Sequence, residues 1–197
     1  MAASAAFSQY KVEPAGPPPA QLPAAVSAIL QKDGARVVGG SGAYCEIWFR
    51  STAPKGPKST EDAVALTTVP QGALVGALRF PAAGSDRRGQ SIKPGLYTLR
   101  YSMHPVNGDH QGVAAQRDFL LLSPAAEDTD PNSTPGFNDL VGMSRKASGT
   151  PHPAVLSVGA SSSSTFPEVK KEGDSDWVLH AKLGDTPIAL IVVGHGE

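Results

Sequence analysis

Cysteine is nearly missing from this chain: Cys45 stands alone among 197 residues. No intrachain disulfide can form, and no all-cysteine zinc or iron–sulfur site can be assembled. An excess of one charge is missing too. Lys plus Arg number 17 against 18 Asp plus Glu, a formal net charge of −1. No long-range field gathers nucleic acid or anionic lipid, so no nucleic-acid partner is expected. Charged residues are sparse overall, at 18%, against ~25% in an average soluble protein. The longest apolar run, "PIALIVVG" near the C-terminus, falls far short of the ~20 residues of a membrane-crossing helix, and no membrane span is expected. The opening "MAASAAFSQYKVEPAGPPPAQ" has neither a basic n-region nor an apolar h-region. It reads as the small-residue tail that follows a cleaved signal sequence, which predicts a periplasmic or secreted protein. A single cysteine fits a reducing compartment equally well. Walker, dinucleotide-fingerprint, HExxH and GxSxG patterns are all absent, so the sequence leans away from an enzyme.

What is abundant is Gly (21) and Pro (18). Breakers at that density favour many short strands joined by turns over long helices. Residues 1–20 are predicted to be a flexible Ala/Pro-rich lead-in, and residues 21–197 a single β domain. In "QLPAAVSAILQKDG" Leu22, Val26, Ile29 and Leu30 draw one helical stripe, with Pro23 in the first turn and Gly34 as the stop. Period-two alternation then takes over. "AYCEIWFR" puts Cys45, Ile47 and Phe49 on one face and Tyr44, Glu46 and Trp48 on the other. "DAVALTTV" and "ALVGALRF" are predicted strands flanking the turn "PQG". "LYTLRYSMH", "QRDFLLLS" and "HPAVLSVGA" follow as further strands. "STPGFNDLVGMSRKAS" predicts a second short helix capped by Thr134, with Phe137, Leu140 and Val141 buried. "SSSSTFPEVKKEGDS" is predicted to be a solvated connection, and "DWVLHAKL" and "TPIALIVVG" a hairpin across Gly184–Asp185. The last strand is apolar at nearly every position, which predicts a central place with both faces covered. The sum is an all-β protein, a single antiparallel β-sandwich with two short peripheral helices.

The turn "KPG" launching "LYTLRY" resembles the "PGtYtl" strand of carboxypeptidase-regulatory and transthyretin-like sandwiches. It also resembles the "aGtYsLftiP" core of the bacterial family DUF2911. The C-terminal "DWVLHAKLGDTPIALIVVG" is similar to the closing hairpin of small secreted bacterial sandwiches, and the whole chain resembles acidobacterial-type secreted proteins. The resemblance implies an Ig-like or transthyretin-like fold and no catalytic residue.

Four groups of residues are candidates for chemistry. "MHPVNGDHQG" offers His104, Asp109 and His110, a ligand set suited to a divalent transition metal, although Asn-Gly-Asp is also ordinary turn chemistry. Arg87 and Arg88 in "GSDRRGQS" have the forked donors that hold a carboxylate or phosphate, or else form a solvated loop tip. Tyr44 and Trp48, on one strand face, would make a stacking surface if exposed and core if not. Ser148 and His152 lie close in sequence, which says little about a triad. The leading expectation is a non-enzymatic binding or accessory module for an unidentified protein or small molecule. A metal-binding protein built on the histidine loop, and a hydrolase with an unrecognised site, are the alternatives.

Overall fold

The structure is a computed structural model that describes residues 9–104 and 116–195. Among the described residues, twelve strands and two helices follow one another as β1 (Lys11–Gly16), α1 (Ala24–Ser27), β2 (Gly34–Gly39), β3 (Gly42–Phe49), β4 (Leu74–Phe80), β5 (Gly84–Ser85), β6 (Ser91–Ile92), β7 (Gly95–Met103), β8 (Asp118–Pro124), α2 (Phe137–Ser148), β9 (Val155–Ala160), β10 (Glu168–Glu172), β11 (Asp176–Leu183) and β12 (Thr186–Val193). The class is all-β, as expected. A sandwich has two sheets, whereas here ten strands join in one, in the order β1-β2-β3-β4-β7-β8-β9-β12-β11-β10, with β5 and β6 as a separate ribbon. Every pairing is antiparallel. The sheet turns its corner at β9, whose residues 155–157 pair with β8 and whose residues 158–160 pair with β12. It curls until β1 and β10 lie against each other, a nearly closed, barrel-like arrangement.

Alternation fills the interior. Cys45, Ile47 and Phe49 from β3, Tyr97, Leu99 and Tyr101 from β7, and Ile188, Leu190 and Val192 from β12 belong to one buried cluster. Burial pushes the Cys45 thiol far above its ordinary range, so it stays a protonated, packed side chain. The helices cover two outer patches. Leu22, Val26 and Leu30 lie with Trp48, Leu74 and Ala77 over β3 and β4, while Leu140 of α2 lies with Phe119, Leu121 and Val155 over β8 and β9. That second cover explains why "DFLLLS" is apolar on both faces.

Several sequence expectations change. The lead-in is not all loose, because Lys11–Gly16 pairs with β2. The first helix shrinks to Ala24–Ser27 and Gly34 begins β2 rather than ending the helix. In α2 the buried positions are Leu140, Ser144, Ala147 and Ser148, and Phe137 is 40% exposed. Its N-cap is Gly136, without a side-chain bond from Thr134, and its stop is Gly149 in the left-handed region. The "solvated" stretch contains β10, which pairs with β11 in the register Glu168↔His180 to Glu172↔Asp176. The expected hairpin of β11 and β12 is present, with Leu183 opposite Thr186.

"DAVALTTV" is not a strand. Its residues form turns, with Leu66 and Val69 packed into the core. The carboxylate of Asp118, itself buried, replaces a ladder partner: Ala65 N–H donates to Oδ2 at 2.8 Å and Leu66 N–H to Oδ1 at 2.9 Å. Tyr101 Oη also donates to Oδ1, at 2.7 Å. Three donors, two of them buried, therefore depend on one side chain. Asp118→Ala is expected to cost about 3 kcal/mol, since unpaired buried donors cost ~1–3 kcal/mol each and partly relax. Asp118→Asn, which retains an acceptor, is expected to lose about half as much. Urea denaturation of the two variants checks the order.

Candidate functional site

The sheet order places β1 and β10 at its two ends, so the line where they meet is a seam. One end of that seam is plugged by rings. Tyr10 stands edge-on to Tyr44 with centroids 5.8 Å apart and to Trp177 at 5.3 Å, and Tyr44 stands edge-on to Phe80 at 5.5 Å. Such pairs contribute roughly 0.5–1.5 kcal/mol each beyond their burial. Burial also raises the pKa of the Tyr10 and Tyr44 phenols, keeping both neutral.

At the other end, from Val12 on β1 to Ala181 on β11, the strands leave a cleft of about 520 Å³. Its floor is apolar: Ala35, Ile47, Phe49 and Ala181 are core residues whose edges reach the opening. Phe166 and Pro167 form one wall, and Glu13, Gln31, Asp33 and Lys182 surround the mouth. The opposite wall is held in place by backbone bonds. Gln31 N–H donates to the Phe49 carbonyl at 2.8 Å, and its Nε2 donates across the seam to the Lys182 carbonyl at 2.8 Å. Gly184 N–H donates to the Arg50 carbonyl at 3.0 Å. At φ +57°, and with a would-be Cβ only 2.5 Å from Ala53 N, that position admits glycine alone. Lys182 Nζ sits 5.4 Å from the centre of the Phe166 ring, within cation–π range. Lys11 pairs with Glu13 at 2.6 Å, and that hydrogen bond holds the Glu13 carboxyl below its usual range. The arrangement suits capture of an apolar body with a polar end left at the mouth.

The residues singled out in the sequence are distributed differently. Asp109 and His110 lie outside the described residues. His104 is buried and stacks on Phe119 with ring centroids 4.2 Å apart. It borders a cavity of about 190 Å³ beside α2 that His152 and Arg145 also line. Among the described residues, no group of three or more His, Cys, Asp or Glu side chains is placed to hold a metal ion.

Arg87 and Arg88 do stand in a hairpin loop, between β5 and β6, but protein carboxylates already engage both guanidinium groups. Arg87 Nε donates to both oxygens of Asp176 at 3.1 Å. Arg88 meets the buried Asp86 at 2.6 Å and donates to the Pro153 carbonyl at 2.8 Å. The two forks are internal ties, not an anion cradle.

Tyr44 and Trp48 do not share a face. The register passes from Val37↔Cys45 to Val38↔Ala43, so Tyr44 is the extra residue of a bulge and swings in with the interior cluster. Trp48 is 1% exposed beneath α1, and its Nε1 donates to the Gly16 carbonyl at 2.8 Å. No stacking surface results. Ser148 Oγ donates to the His152 backbone carbonyl at 2.6 Å, closing the end of α2 and forming no triad with the ring.

The cleft itself escaped sequence reasoning because its walls come from separated segments, each unremarkable alone. A faint local signal was the pair Phe166–Pro167, an apolar island in an otherwise polar stretch. Comparison with known proteins finds no matching family model, no matching curated protein and no matching solved structure.

Proposed function

We propose that the protein is a binding module that takes an amphipathic small molecule into the seam cleft. The observation that carries the reading is the combination of an apolar floor (Ile47, Phe49 and Ala181) with a charged mouth at the seam where, among the described residues, the sheet does not zip shut. The volume, about 520 Å³, falls inside the ~300–1,000 Å³ range of small-molecule sites. The ligand's apolar part packs on the floor and on Phe166, and its polar end meets Lys182 at the rim. The proposed compartment is the periplasm or the exterior, which rests on the resemblance drawn from the sequence.

Titration with an environment-sensitive apolar dye such as anilinonaphthalene sulfonate tests the reading. Saturable one-site binding is expected in the wild type. Phe166→Ala is expected to weaken it about tenfold, because a half-buried phenyl contributes roughly 1–1.5 kcal/mol. Binding that never saturates, or that ignores Phe166→Ala, rules the cleft out.

A further inference from the structure

On the outer face of the sheet a histidine is buried in an unusual setting. His180 of β11 is 3% exposed, although outward positions of this strand also carry Asp176 and Lys182. Its cross-strand partner on β12 is Ala189, which presents only a methyl group. The ring reaches Ser161, just beyond β9: Nδ1 and Ser161 Oγ stand 2.8 Å apart. On the other side Glu172 Oε1 lies 2.9 Å from Nε2, but out of line, so that Nε2 has no aligned hydrogen-bond partner.

The tautomer follows from electrostatics. A bare Nε2 lone pair facing a carboxylate would be repelled, so the proton belongs on Nε2, and Nδ1 is left to accept from the Ser161 hydroxyl. A polar ring nitrogen buried without an aligned partner costs stability, and such exceptions occur where a group has chemical work to do. Ser161, unlike the ring, is only partly buried. Beside this trio runs a second cleft, of about 720 Å³, bordered by Gly159, Ala160, Glu172, Val178 and Ala189. Glu172 and Ala160, the residue before Ser161, border it, while Ser161 and His180 themselves lie off its lining, so an ester would be held at its edge.

We propose that Ser161, His180 and Glu172 form a nucleophilic site that cleaves small carboxylic esters. Ser161 Oγ attacks the ester carbonyl carbon while its proton passes to His180 Nδ1. The carbon–oxygen bond to the alcohol breaks, and the alcohol leaves with that proton, giving an acyl-Ser161. Water then loses a proton to Nδ1 and adds to the acyl carbon; the bond to Oγ breaks, and Ser161 recovers its proton as the acid departs. The Ser163 N–H, which donates to Oγ at 3.1 Å, fixes the position of the nucleophile. Glu172 acts as a positioning residue through the charge it holds 2.9 Å from Nε2 rather than through an aligned hydrogen bond. This site is separate from the seam cleft and does not depend on it.

The test treats the full chain with a fluorophosphonate probe and follows p-nitrophenyl acetate hydrolysis. The expected results are an adduct on Ser161 by mass spectrometry, and hydrolysis falling at least ~100-fold in Ser161→Ala and His180→Gln. Glu172→Gln is expected to slow the labelling rate constant ~10-fold while the final labelled fraction stays complete; a variant that had merely unfolded would lower the fraction instead. Absence of an adduct on Ser161, or equal hydrolysis by wild type and Ser161→Ala, overturns the proposal. Ser161→Ala removes one partly exposed hydroxyl, so it decides the matter even if His180→Gln does not fold.

Discussion

Arg100→Ala is expected to lower the unfolding free energy by about 3–5 kcal/mol, the range for breaking a buried ion pair by removing one partner. Arg100 points outward from β7, yet it is 0% exposed, because the segment 125–136 folds over it. Every limb of its guanidinium is engaged. Nε and Nη2 take the two oxygens of Asp128 at 2.8 and 2.6 Å. Nη1 donates to the carbonyls of Gly72 and Ser133 at 2.8 and 2.6 Å, and Nη2 donates to the carbonyl of Asp130 at 2.7 Å. Thr98 Oγ1 adds a 2.5 Å bond to Asp128 Oδ2. With the arginine gone, the buried Asp128 carboxyl has only a hydroxyl to face it, and three backbone carbonyls lose their donor. Replacing both partners, as Arg100→Met with Asp128→Leu, is expected to restore part of the loss, since the desolvation cost of the charges disappears with them. Urea denaturation of the single and double variants measures both effects, and a single variant within 1 kcal/mol of wild type contradicts the clamp described here.

Trp48→Ala is expected to cost a similar amount, about 3–5 kcal/mol. The indole occupies the centre of the outer cluster formed by Leu22, Val26, Leu30, Leu74 and Ala77. The backbone has closed around it: a Cβ at Gly34 would stand 2.4 Å from Nε1. Deleting the ring leaves a cavity that α1 is too short to collapse into, and it also removes the bond to the Gly16 carbonyl that holds the end of β1. Calorimetry gives the stability loss. Amide exchange is expected to rise most in β1, and uniform exchange along the chain would show that Trp48 serves packing alone.

Much of the fold was legible in the residues. Alternation in 95–103 assigned Tyr97, Leu99 and Tyr101 to one face, and they do meet in the interior. The all-apolar closing strand lies centrally between β9 and β11 as expected, but only its inner face is fully covered: Pro187 is exposed and Ala189, Ile191 and Val193 are half-buried. What alternation misses is anything that breaks the count of two. The bulge at Tyr44 moved that ring to the other side of the sheet, and nothing in "GAYCEI" marks it. Residues 62–69 alternate like a strand, but Asp118, more than fifty positions later, supplies their bonds. Nothing local marks Thr98 and Arg100, polar residues on the outer face of β7, as buried, because the segment that covers them comes later in the chain.

The candidate sites were less legible for the same reason. Arg87 and Arg88 looked available because their carboxylate partners, Asp176 and Asp86, cannot be matched to them from sequence. Ser161, Glu172 and His180 sit on three segments, two of which the composition assigned to a loop. One clue was present: in "DWVLHAKL" His180 follows the polar beat of Asp176 and Lys182 in an apolar neighbourhood. It pointed to an outward side chain and said nothing of what would cover it.

The seam has a mechanical consequence. Elsewhere around the sheet, parting two neighbours means breaking a row of amide bonds together, but among the described residues none pairs β1 with β10. Side chains bridge that line, the Tyr10–Trp177 contact at one end and the Gln31 tie at the other, with a single backbone bond from Gly184 N–H to the Arg50 carbonyl beyond the tie. A guest wider than the resting gap can therefore push the lips apart by shifting rotamers while the hoop of strands stays whole. The fold behaves as a split ring, stiff around its circumference and compliant at a single slot.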